Sequence, residues 1–450
     1  MTTSDLFGPM FSTAEMRAHT SDAAWLQAML DAEAALVRAC ASAGLVPASA
    51  AEAIAACCDA SRFDAVTIGQ EAPAGGNPII PLVEALITIV PPDAARWVHF
   101  GATSQDILDT AAMLITRRAL DLLLADLARA AEACAALAET HADTVMVART
   151  LLQQAVPTTF GLKAAGWLMA LAESHASLVR VREERLAVQL GGAAGTLAVY
   201  GDAGLAVLDA FASQLDLPVP PTPWHTNRVR IAEIAAALAI TAGACAKIGL
   251  DVALLMQTEV GEVFEPAAPG KGRSSAMPHK RNPVGAVAIS ASARQAQSFA
   301  ALLMSGMAQE HERSAGAWQA EWTTLSGALN CMAGALSNTA TILDGLEVDA
   351  ERMRGNLEAA GGMAAAERLM AFLAERIGRV QAQSALRAAV ALAHTLDTSL
   401  AEAVAMDSVV SAIFSAADIH AAIEPMNAVR NARPLIDRAL SEWRTNPNRV

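Results

Sequence analysis

Apolar residues recur at helical spacing along most of the 450-residue chain, and glycine and proline divide them into long segments. The first helix is predicted to begin near Ser21, a good N-cap residue, and to stop at Gly44 and Pro47. No glycine or proline occurs from residue 102 to 156, where the apolar positions predict long helices that end before Pro157. Further long helical stretches are predicted over 160–190, 228–264 and 284–343.

Long helices that are apolar on more than one face need more than one packing partner. A monomer would leave part of that surface in water, so we expect a homo-oligomer. The pattern as a whole predicts an all-α fold in which a long central helix bundle is flanked by two smaller helical domains. The predicted domains are 1–105 at the N-terminus, 106–345 for the bundle and 346–450 at the C-terminus.

Composition supports helices over sheets and narrows the range of partners. The chain is 54% hydrophobic but only 4% aromatic, which favours packed helices of alanine, leucine and valine. With 46 acidic and 32 basic residues, its net charge is −14, which argues against binding to nucleic acid or to a membrane. Any positive potential for an anionic substrate must therefore be local.

The predicted location is the cytoplasm. The N-terminus lacks the basic and apolar regions of a signal peptide, and the 6 cysteines include no C-x-x-C pair. We therefore expect free thiols, without disulfides, a metal site or any cofactor. Segment 322–343 is uncharged and long enough to span a bilayer, but its serines, threonines and asparagines favour a helix buried in the protein bundle.

The segment 271–283 interrupts this apolar pattern with two serines, a histidine, an asparagine and four cationic residues. On composition alone it could be a solvated basic loop or a site of chemistry. The order Ser-Ser-x-Met-Pro-x-Lys-x-Asn-Pro resembles the signature loop of the fumarase/aspartase superfamily. The resemblance implies that Ser274 handles a proton beside a substrate carboxylate, that Ser275 contacts the substrate, and that Lys280 and Asn282 hold the developing negative charge.

A second polar cluster spans residues 97–106. Thr103 or Ser104 can cap the following helix, whose free amides could bind a carboxylate, and His99 could be an ordinary surface histidine. The order His-x-Gly-x-Thr-Ser-x-Asp also resembles an element of the adenylosuccinate lyases in the same superfamily. That likeness implies a catalytic His99 and a substrate-anchoring Thr103 and Ser104. His225, which precedes a predicted helix, is a further possible polar wall of the site.

A third element, residues 149–161, is similar to a lyase element that reads Arg-Thr-His-x-Gln-x-Ala-x-Pro-Thr-Thr-Phe-Gly. The lyase histidine, which serves proton transfer to the leaving group, is Leu151 in this chain. Leucine cannot move a proton, so either the chain is a damaged lyase or its reaction has no departing amine. Thr150 and Gln153 remain candidate substrate ligands and Arg149 a candidate cation, with helix packing as their alternative role.

The segment 312–322 reads Glu-Arg-x-x-Gly-Ala-Trp-x-x-Glu-Trp. It keeps Arg313 but lacks the rest of the phosphate-binding segment of adenylosuccinate lyases, and it resembles the bacterial 3-carboxy-cis,cis-muconate cycloisomerases of the same superfamily. The likeness covers essentially the whole chain. It implies lactonisation of a tricarboxylate in protocatechuate catabolism, and a homotetramer with sites shared between subunits. Adenylosuccinate lyase and a catalytically silent helical bundle are the alternatives.

Lactonisation makes the loss of the lyase histidine intelligible. A carboxylate of the substrate attacks its own diene, so the nucleophile is tethered and no separate leaving group needs an acid. The enzyme then has to hold the tricarboxylate, stabilise an aci-carboxylate intermediate and deliver one proton to its α carbon. Either Ser274 or His99 could deliver that proton, and a serine would need activation by Lys280 or by loop amides.

Overall fold

The computed structural model describes residues 5–267, 272, 277 and 280–446. Helices dominate this part of the chain, and the short strands within it form two antiparallel pairs. The prediction of an all-α fold is confirmed.

Helices of 4 to 21 residues lie between Gly8 and Ala95. They are α1 (Gly8–Phe11), α2 (Ala14–His19), α3 (Asp22–Ser42), α4 (Ala48–Ala55), α5 (Ala65–Gly75), α6 (Ile79–Ile89) and α7 (Pro92–Ala95), with a 3₁₀ turn over Ala60–Arg62. The predicted start and stop of the first long helix are confirmed. The Ser21 hydroxyl accepts a hydrogen bond from the Ala24 N–H at 3.2 Å, and Gly44 follows the helix in the left-handed region.

Five helices of 22 to 37 residues make up the middle of the chain. They are α8 (Ser104–Thr140), α9 (Phe160–Glu184), α11 (Val229–Leu255), α12 (Val284–Ser305) and α13 (Ala317–Asp344), and the shorter α10 (Gly204–Leu215) follows a 3₁₀ turn over Ala198–Ala203. The uncharged segment 322–343 lies within α13, where residues 324–336 are all buried, as predicted. By length and composition alone α11 could cross a membrane, a property that it shares with buried core helices.

The prediction of helix up to Pro157 is wrong. After α8 the chain forms a hairpin of β1 (Val145–Thr150) and β2 (Gln153–Thr159). Val145 and Val147, on alternate positions of β1, are buried in a cluster with Leu357 and Val429. This burial of β-branched side chains on one strand face outweighs the helical propensity of the neighbouring alanines.

Three other predicted stretches are longer than the helices that form. The stretches predicted over 160–190 and 228–264 end as helices at Glu184 and Leu255, and the stretch over 284–343 is two helices. The break between α12 and α13 contains Gly306 and Gly316, and the φ of Gly316 is 129°. A residue with a side chain rarely adopts that conformation, so the helix cannot continue through it.

The C-terminal part is a set of shorter helices with its own hydrophobic core. They are α14 (Ala350–Glu358), α15 (Ala366–Ile377), α16 (Arg379–Leu396), α17 (Leu400–Ala405), α18 (Ser408–Ser411), α19 (Ala416–Ile423), α20 (Pro425–Ala428) and α21 (Ala432–Thr445), with a 3₁₀ turn over Met363–Ala365. Leu369, Leu373, Leu400 and Val404 lie at the centre of that core. Before it, β3 (Val263–Phe264) pairs with β4 (Glu347–Val348).

The chain divides into two compact units by its internal contacts. Unit 1 comprises Met1–Leu127, Glu173–Ala246 and Ala288–Asn338, and unit 2 comprises Ala128–Ala172, Lys247–Val287 and Thr339–Val450. Each of the five long helices contributes residues to both units. The predicted division into three domains at 105 and 345 stays a prediction.

Candidate active site

In unit 1 the predicted site residues gather at the start of α8. Ser104 is the first helical residue, so Thr103 occupies the N-cap position. The Thr103 N–H donates to the Asp106 carboxylate at 2.9 Å, and the Thr103 carbonyl accepts from the Asp106 N–H at 2.9 Å. This reciprocal pair fixes the first turn of the helix, as a capping carboxylate at N3 does in general.

Asp106 is fully buried and accepts four hydrogen bonds. One oxygen accepts from the Gly191 N–H at 2.9 Å and from His225 Nε2 at 2.7 Å. The other accepts from the Gly192 and Thr103 amides, each at 2.9 Å. An ionised carboxylate can accept all four, so Asp106 ties the start of α8 to the glycine-rich segment and to His225.

The loop before α8 is held in an uncommon backbone conformation. His99 has a φ of 56° and Gly101 a φ of 77°, both in the left-handed region. A Cβ on Gly101 would lie 2.5 Å from the Tyr200 ring, so only glycine fits there. The Tyr200 hydroxyl donates to the Phe100 carbonyl at 3.0 Å, which fixes the loop from below.

A buried carboxylate holds the His99 ring. His99 Nδ1 lies 2.5 Å from Glu33 Oε1, and the Glu33 side chain is only 2% exposed. Burial lowers the pKa of His99, but the charge and hydrogen bond of Glu33, with the charge of Asp106, outweigh it and raise that pKa above its usual value. The arrangement favours a protonated imidazole whose orientation is fixed by Glu33.

Arg313 brings a positive charge to the same region. Its guanidinium donates to Gln105 Oε1 at 2.8 Å and to the carbonyls of Gly192 and Ala193 at 3.2 and 2.8 Å. These acceptors are neutral, and no carboxylate pairs with Arg313 in the described part of the chain. Its charge is therefore uncompensated, as the predicted role in binding an anion requires.

The motif around Arg313 is explained by a buried ionic network. Arg228, 1% exposed, donates to both oxygens of Asp109 and of Glu321. The Trp318 indole N–H donates to Asp109 Oδ1 at 3.0 Å. Desolvation raises the pKa of Glu321 although Arg228 opposes it. The glutamate and the first tryptophan of the motif therefore anchor the segment that carries Arg313.

In unit 2 the third motif forms the β1–β2 hairpin. The Arg149 guanidinium makes a bidentate ion pair with Glu262, with N–O distances of 2.7 and 2.9 Å, and Asn356 Nδ2 donates to the same carboxylate at 2.8 Å. Glu262 is fully buried. Arg149 therefore neutralises a buried charge and anchors the hairpin, and its predicted contact with substrate stays a prediction.

The turn of this hairpin is both strained and exposed. Its two residues, Leu151 and Leu152, have φ values of 51° and 64° and are 96% and 77% exposed. Two-residue turns of this type favour Asn-Gly, because other L-residues are strained at positive φ. Thr150 and Gln153 flank the turn as its exposed closing pair.

The signature loop is only partly described. Ser274 and Ser275 lie outside the described residues, and Lys280 is exposed. Asn282 closes the base of the loop, because its backbone N–H and its Nδ2 both donate to the Gly272 carbonyl, at 3.0 and 3.2 Å. The predicted contacts of these residues with substrate stay predictions.

A buried carboxylate also fixes the exit of the loop. Glu265 accepts from the Gly285 and Ala286 amides at 3.0 and 2.7 Å, at the start of α12. Arg281 donates to Glu347 and to the Glu265 carbonyl. Both anchors flank Asn282, so the polar end of the loop has a fixed support.

Three site residues were missed by reasoning from the sequence. Glu33 is an acid within an otherwise apolar run, 32–37, and a buried acid in that context signals a partner. Asp106 ends the His-x-Gly-x-Thr-Ser-x-Asp motif, but the sequence does not predict a role in the site for it or for Tyr200. Among the described residues, no group of three His, Cys, Asp or Glu side chains could hold a metal ion.

Two cavities in the described part of the chain are not lined by the predicted site residues. One, of about 670 Å³, lies between α15 and α16 beside Arg379 and Arg387. The other, of about 400 Å³, is walled by Trp25, Phe299 and Trp322.

The chain matches known proteins over nearly its whole length. Residues 11–298 match a family model described as lyase. The chain is 50% identical over 440 residues to the 3-carboxy-cis,cis-muconate cycloisomerase of Bradyrhizobium diazoefficiens, covering 97% of this chain and 98% of that protein. It is also 45% identical over 448 residues to the nitrosuccinate lyase of Streptomyces davaonensis, covering 97% and 94%.

A solved structure agrees with these matches. The crystal structure of the 3-carboxy-cis,cis-muconate lactonizing enzyme from Pseudomonas putida superposes with a TM-score of 0.92 at 44% identity, covering 98% of this chain and 99% of that one. A cycloisomerase and a lyase match the chain at similar identity. Overall similarity therefore does not distinguish the two reactions, and the site residues have to do so.

Proposed function

The chain belongs to the lyase family of the fumarase/aspartase superfamily, and from that premise we propose that it is a 3-carboxy-cis,cis-muconate cycloisomerase. Its reaction is the intramolecular addition of a substrate carboxylate to a diene, which gives the γ-lactone 4-carboxymuconolactone. The observation that carries the choice of addition over elimination is Leu151. A leucine at this turn cannot protonate a departing group, and lactonisation has none to protonate.

The intermediate of this reaction is an aci-carboxylate with two negative charges on one carboxyl group. We assign its stabilisation to Lys280, Asn282 and the amides of the signature loop. At the start of α8, we assign the Thr103 and Ser104 hydroxyls and the Ser104 N–H to another substrate carboxylate. Arg313 supplies the local positive charge that a chain of net charge −14 needs in order to hold a tricarboxylate. Ser274 and His99 are the two candidates for the proton donor.

Elimination from a substituted succinate is the second candidate, because the nitrosuccinate lyase is 45% identical to this chain. Nitrite is a better leaving group than an amine and needs less help from an acid, so Leu151 weighs less against this reaction. Adenylosuccinate is disfavoured, since the segment that would hold its phosphate is replaced by the buried network of Arg228, Trp318 and Glu321.

One set of assays separates these functions. The purified protein is incubated with 3-carboxymuconate, with nitrosuccinate and with adenylosuccinate, and ultraviolet absorbance is followed in each. Loss of the diene band with the first substrate, without release of fumarate from the other two, is the expected result. Fumarate release with the diene untouched would assign elimination, and no change in any sample would assign a silent bundle.

We also propose that the chain forms a cytoplasmic homotetramer whose sites draw on more than one copy. Apolar side chains on the long helices are exposed, among them Ile240, Leu250, Val287 and Leu302. The exposed leucines of the hairpin turn need a similar cover. The six cysteines are all free, as expected in a reducing compartment.

Mixed oligomers test the shared site. Two variants, His99→Ala from unit 1 and Gln153→Ala from unit 2, are each expected to have little activity. After the two are mixed, dissociated and reassembled, some sites regain both residues, so activity should return to a measurable fraction of wild type. No recovery in mixtures that light scattering shows to be tetrameric would contradict sharing, and a monomer at assay concentration would contradict the oligomer.

A further inference from the structure

Glu33 is the only acid in the run 32–37 of α3, whose other residues are apolar. Its side chain is 2% exposed, so water does not solvate the carboxylate. A buried carboxylate without compensation is destabilising by several kcal/mol in general. The compensating group is His99, whose Nδ1 lies 2.5 Å from Glu33 Oε1.

This contact determines which nitrogen of His99 is available. Since Nδ1 is bound to Glu33, the ring presents Nε2 as its free nitrogen, and no described residue forms a hydrogen bond with Nε2. The His99 side chain is 18% exposed, so one edge of the ring reaches the surface. A histidine held at one nitrogen by a carboxylate and open at the other has the arrangement of a general acid or base.

The backbone at His99 adds to this picture. Its φ of 56° is a conformation that a non-glycine residue adopts at a cost, and such conformations persist where the surroundings determine them. The contact of Tyr200 with Gly101 and the hydrogen bond to Glu33 hold this backbone conformation. Both contacts therefore fix the orientation of the His99 ring.

We infer that Glu33 is the positioning residue of the proton donor, and that this donor is His99 rather than Ser274. The inference rests on the proposed lactonisation. In the donation step the Nε2–H bond of the imidazolium breaks, and the electron pair of the aci-carboxylate carbon–carbon double bond forms a C–H bond at the α carbon. The carboxylate is restored, and the neutral imidazole takes up a proton from water before the next turnover.

The charges around His99 are consistent with an imidazolium. Glu33 faces the ring from α3 and Asp106 from the start of α8, and together they raise its pKa in spite of burial. Burial raises the pKa of the nearby Tyr200 hydroxyl, so this side chain stays neutral. Cys40 on α3, whose pKa is raised to about 12 by burial and by Glu33, also stays neutral.

The test compares Glu33→Gln with wild type in the pH dependence of kcat/KM for 3-carboxymuconate. A donor must be protonated, so activity falls on the alkaline side of the His99 pKa. Without the Glu33 charge that pKa falls, and the alkaline limb should move to lower pH by about one unit or more. Glu33→Asp, which keeps the charge, should restore part of the shift, and Glu52→Gln, at an exposed ion pair with Arg38, should not move the limb.

A second measurement does not depend on turnover. Diethyl pyrocarbonate modifies neutral imidazole, so its reaction rate at His99 against pH, read by peptide mass spectrometry, gives the pKa of that residue in each protein. The expected midpoint in wild type is above about 6.5, the ordinary value for histidine, and it should fall in Glu33→Gln. An unshifted midpoint and an unshifted alkaline limb in a folded Glu33→Gln would overturn the inference.

The outcomes also separate this inference from the proposed function. If wild type does not convert 3-carboxymuconate, the proposed function fails, while the labelling midpoints still decide whether Glu33 sets the protonation of His99. If wild type converts it and Ser274→Ala alone removes the alkaline limb, the proposed function stands and the assignment of the donor to His99 fails.

Discussion

The start of α8 and the turn of the β1–β2 hairpin are both strained, but they are supported in opposite ways. At the start of α8, His99 has a positive φ and is held by Glu33, and the buried Asp106 accepts four hydrogen bonds. At the turn, Leu151 and Leu152 have positive φ and lie in water. The backbone strain in the first region is offset by contacts within the chain. The strain at the turn has no such support among the described residues.

The largest effect is expected at Asp106, on which the first region depends. Asp106→Asn keeps the shape but places an NH₂ group against N–H donors and removes the charge opposite His225. Stability should fall by about 3–5 kcal/mol, as when one partner of a buried charged cluster is lost, and activity should fall with it. Urea unfolding measures the change.

The matched control for Asp106 is Asp121→Asn. Asp121 is half exposed and pairs with Arg182 on the surface of the same unit. Its loss should cost less than about 1 kcal/mol. If both variants lower stability by the same amount, Asp106 is not the centre of the first region.

The neighbouring cations Lys280 and Arg281 differ in the same way, because only Arg281 has a carboxylate partner among the described residues. Arg281 is bound to Glu347 and to the Glu265 carbonyl, whereas no carboxylate pairs with Lys280 in the described part of the chain. Lys280→Ala should therefore lower kcat/KM at least about a hundredfold, since it removes charge stabilisation of the intermediate. Ser274→Ala should lower the rate by a similar factor only if Ser274, and not His99, delivers the proton.

Arg281→Ala serves as the comparison for Lys280→Ala and should change kcat/KM less than about tenfold, because it removes an exposed ion pair. Steady-state kinetics on folded variants gives both values. Near-wild-type turnover in both Lys280→Ala and Ser274→Ala would remove the signature loop from the chemistry.

The hairpin turn should respond in the opposite sense. Replacing Leu151 by Asn and Leu152 by Gly relieves the strain of positive φ, which is worth about 1–2 kcal/mol per residue, so the hairpin itself becomes more favourable. If the leucines pack against another copy, the tetramer should dissociate at a higher protein concentration and activity should fall. Light scattering on dilution measures this, with Val380→Asn, at another highly exposed apolar residue, as control.

The smallest effect is the pH dependence of stability at His99. A pKa that folding raises means that the folded state binds the proton more tightly, so the stabilisation is complete below about pH 6.5 and fades as pH rises through the folded pKa. The melting temperature of Glu33→Gln should therefore lie furthest below that of wild type near pH 6. The gap should narrow by pH 9, and a gap that widens would contradict the raised pKa.

The sequence predicts the helices well and their ends less well. The start of α3 at Ser21 and the burial of segment 322–343 follow from local chemistry, and both are confirmed. The hairpin over 145–159 was missed because its turn is Leu-Leu, which carries none of the glycine or asparagine that marks a turn. Its strand conformation comes from burial against distant residues, which no local pattern contains.

The site shows the same limit. His99, Thr103 and Arg313, which the motifs single out, lie in one region of unit 1, and their roles toward substrate stay predictions. Glu33 lies 66 residues from its partner His99 and stands in an ordinary helical sequence, so only the fold reveals the pair. A polar residue that only positions another side chain is therefore harder to identify from the sequence than a residue within a motif.

The central claim is that the chain performs an addition that ends with a proton delivered by a protein group. Conversion of 3-carboxymuconate in D₂O, followed by proton NMR of the product, tests it most directly, because protons on His99 nitrogens and serine hydroxyls exchange with solvent. The expected product is a lactone with one deuterium, on the carbon next to a carboxylate, and with one configuration. A lactone without deuterium, deuterium in both configurations, or an unchanged diene would rule out this reaction.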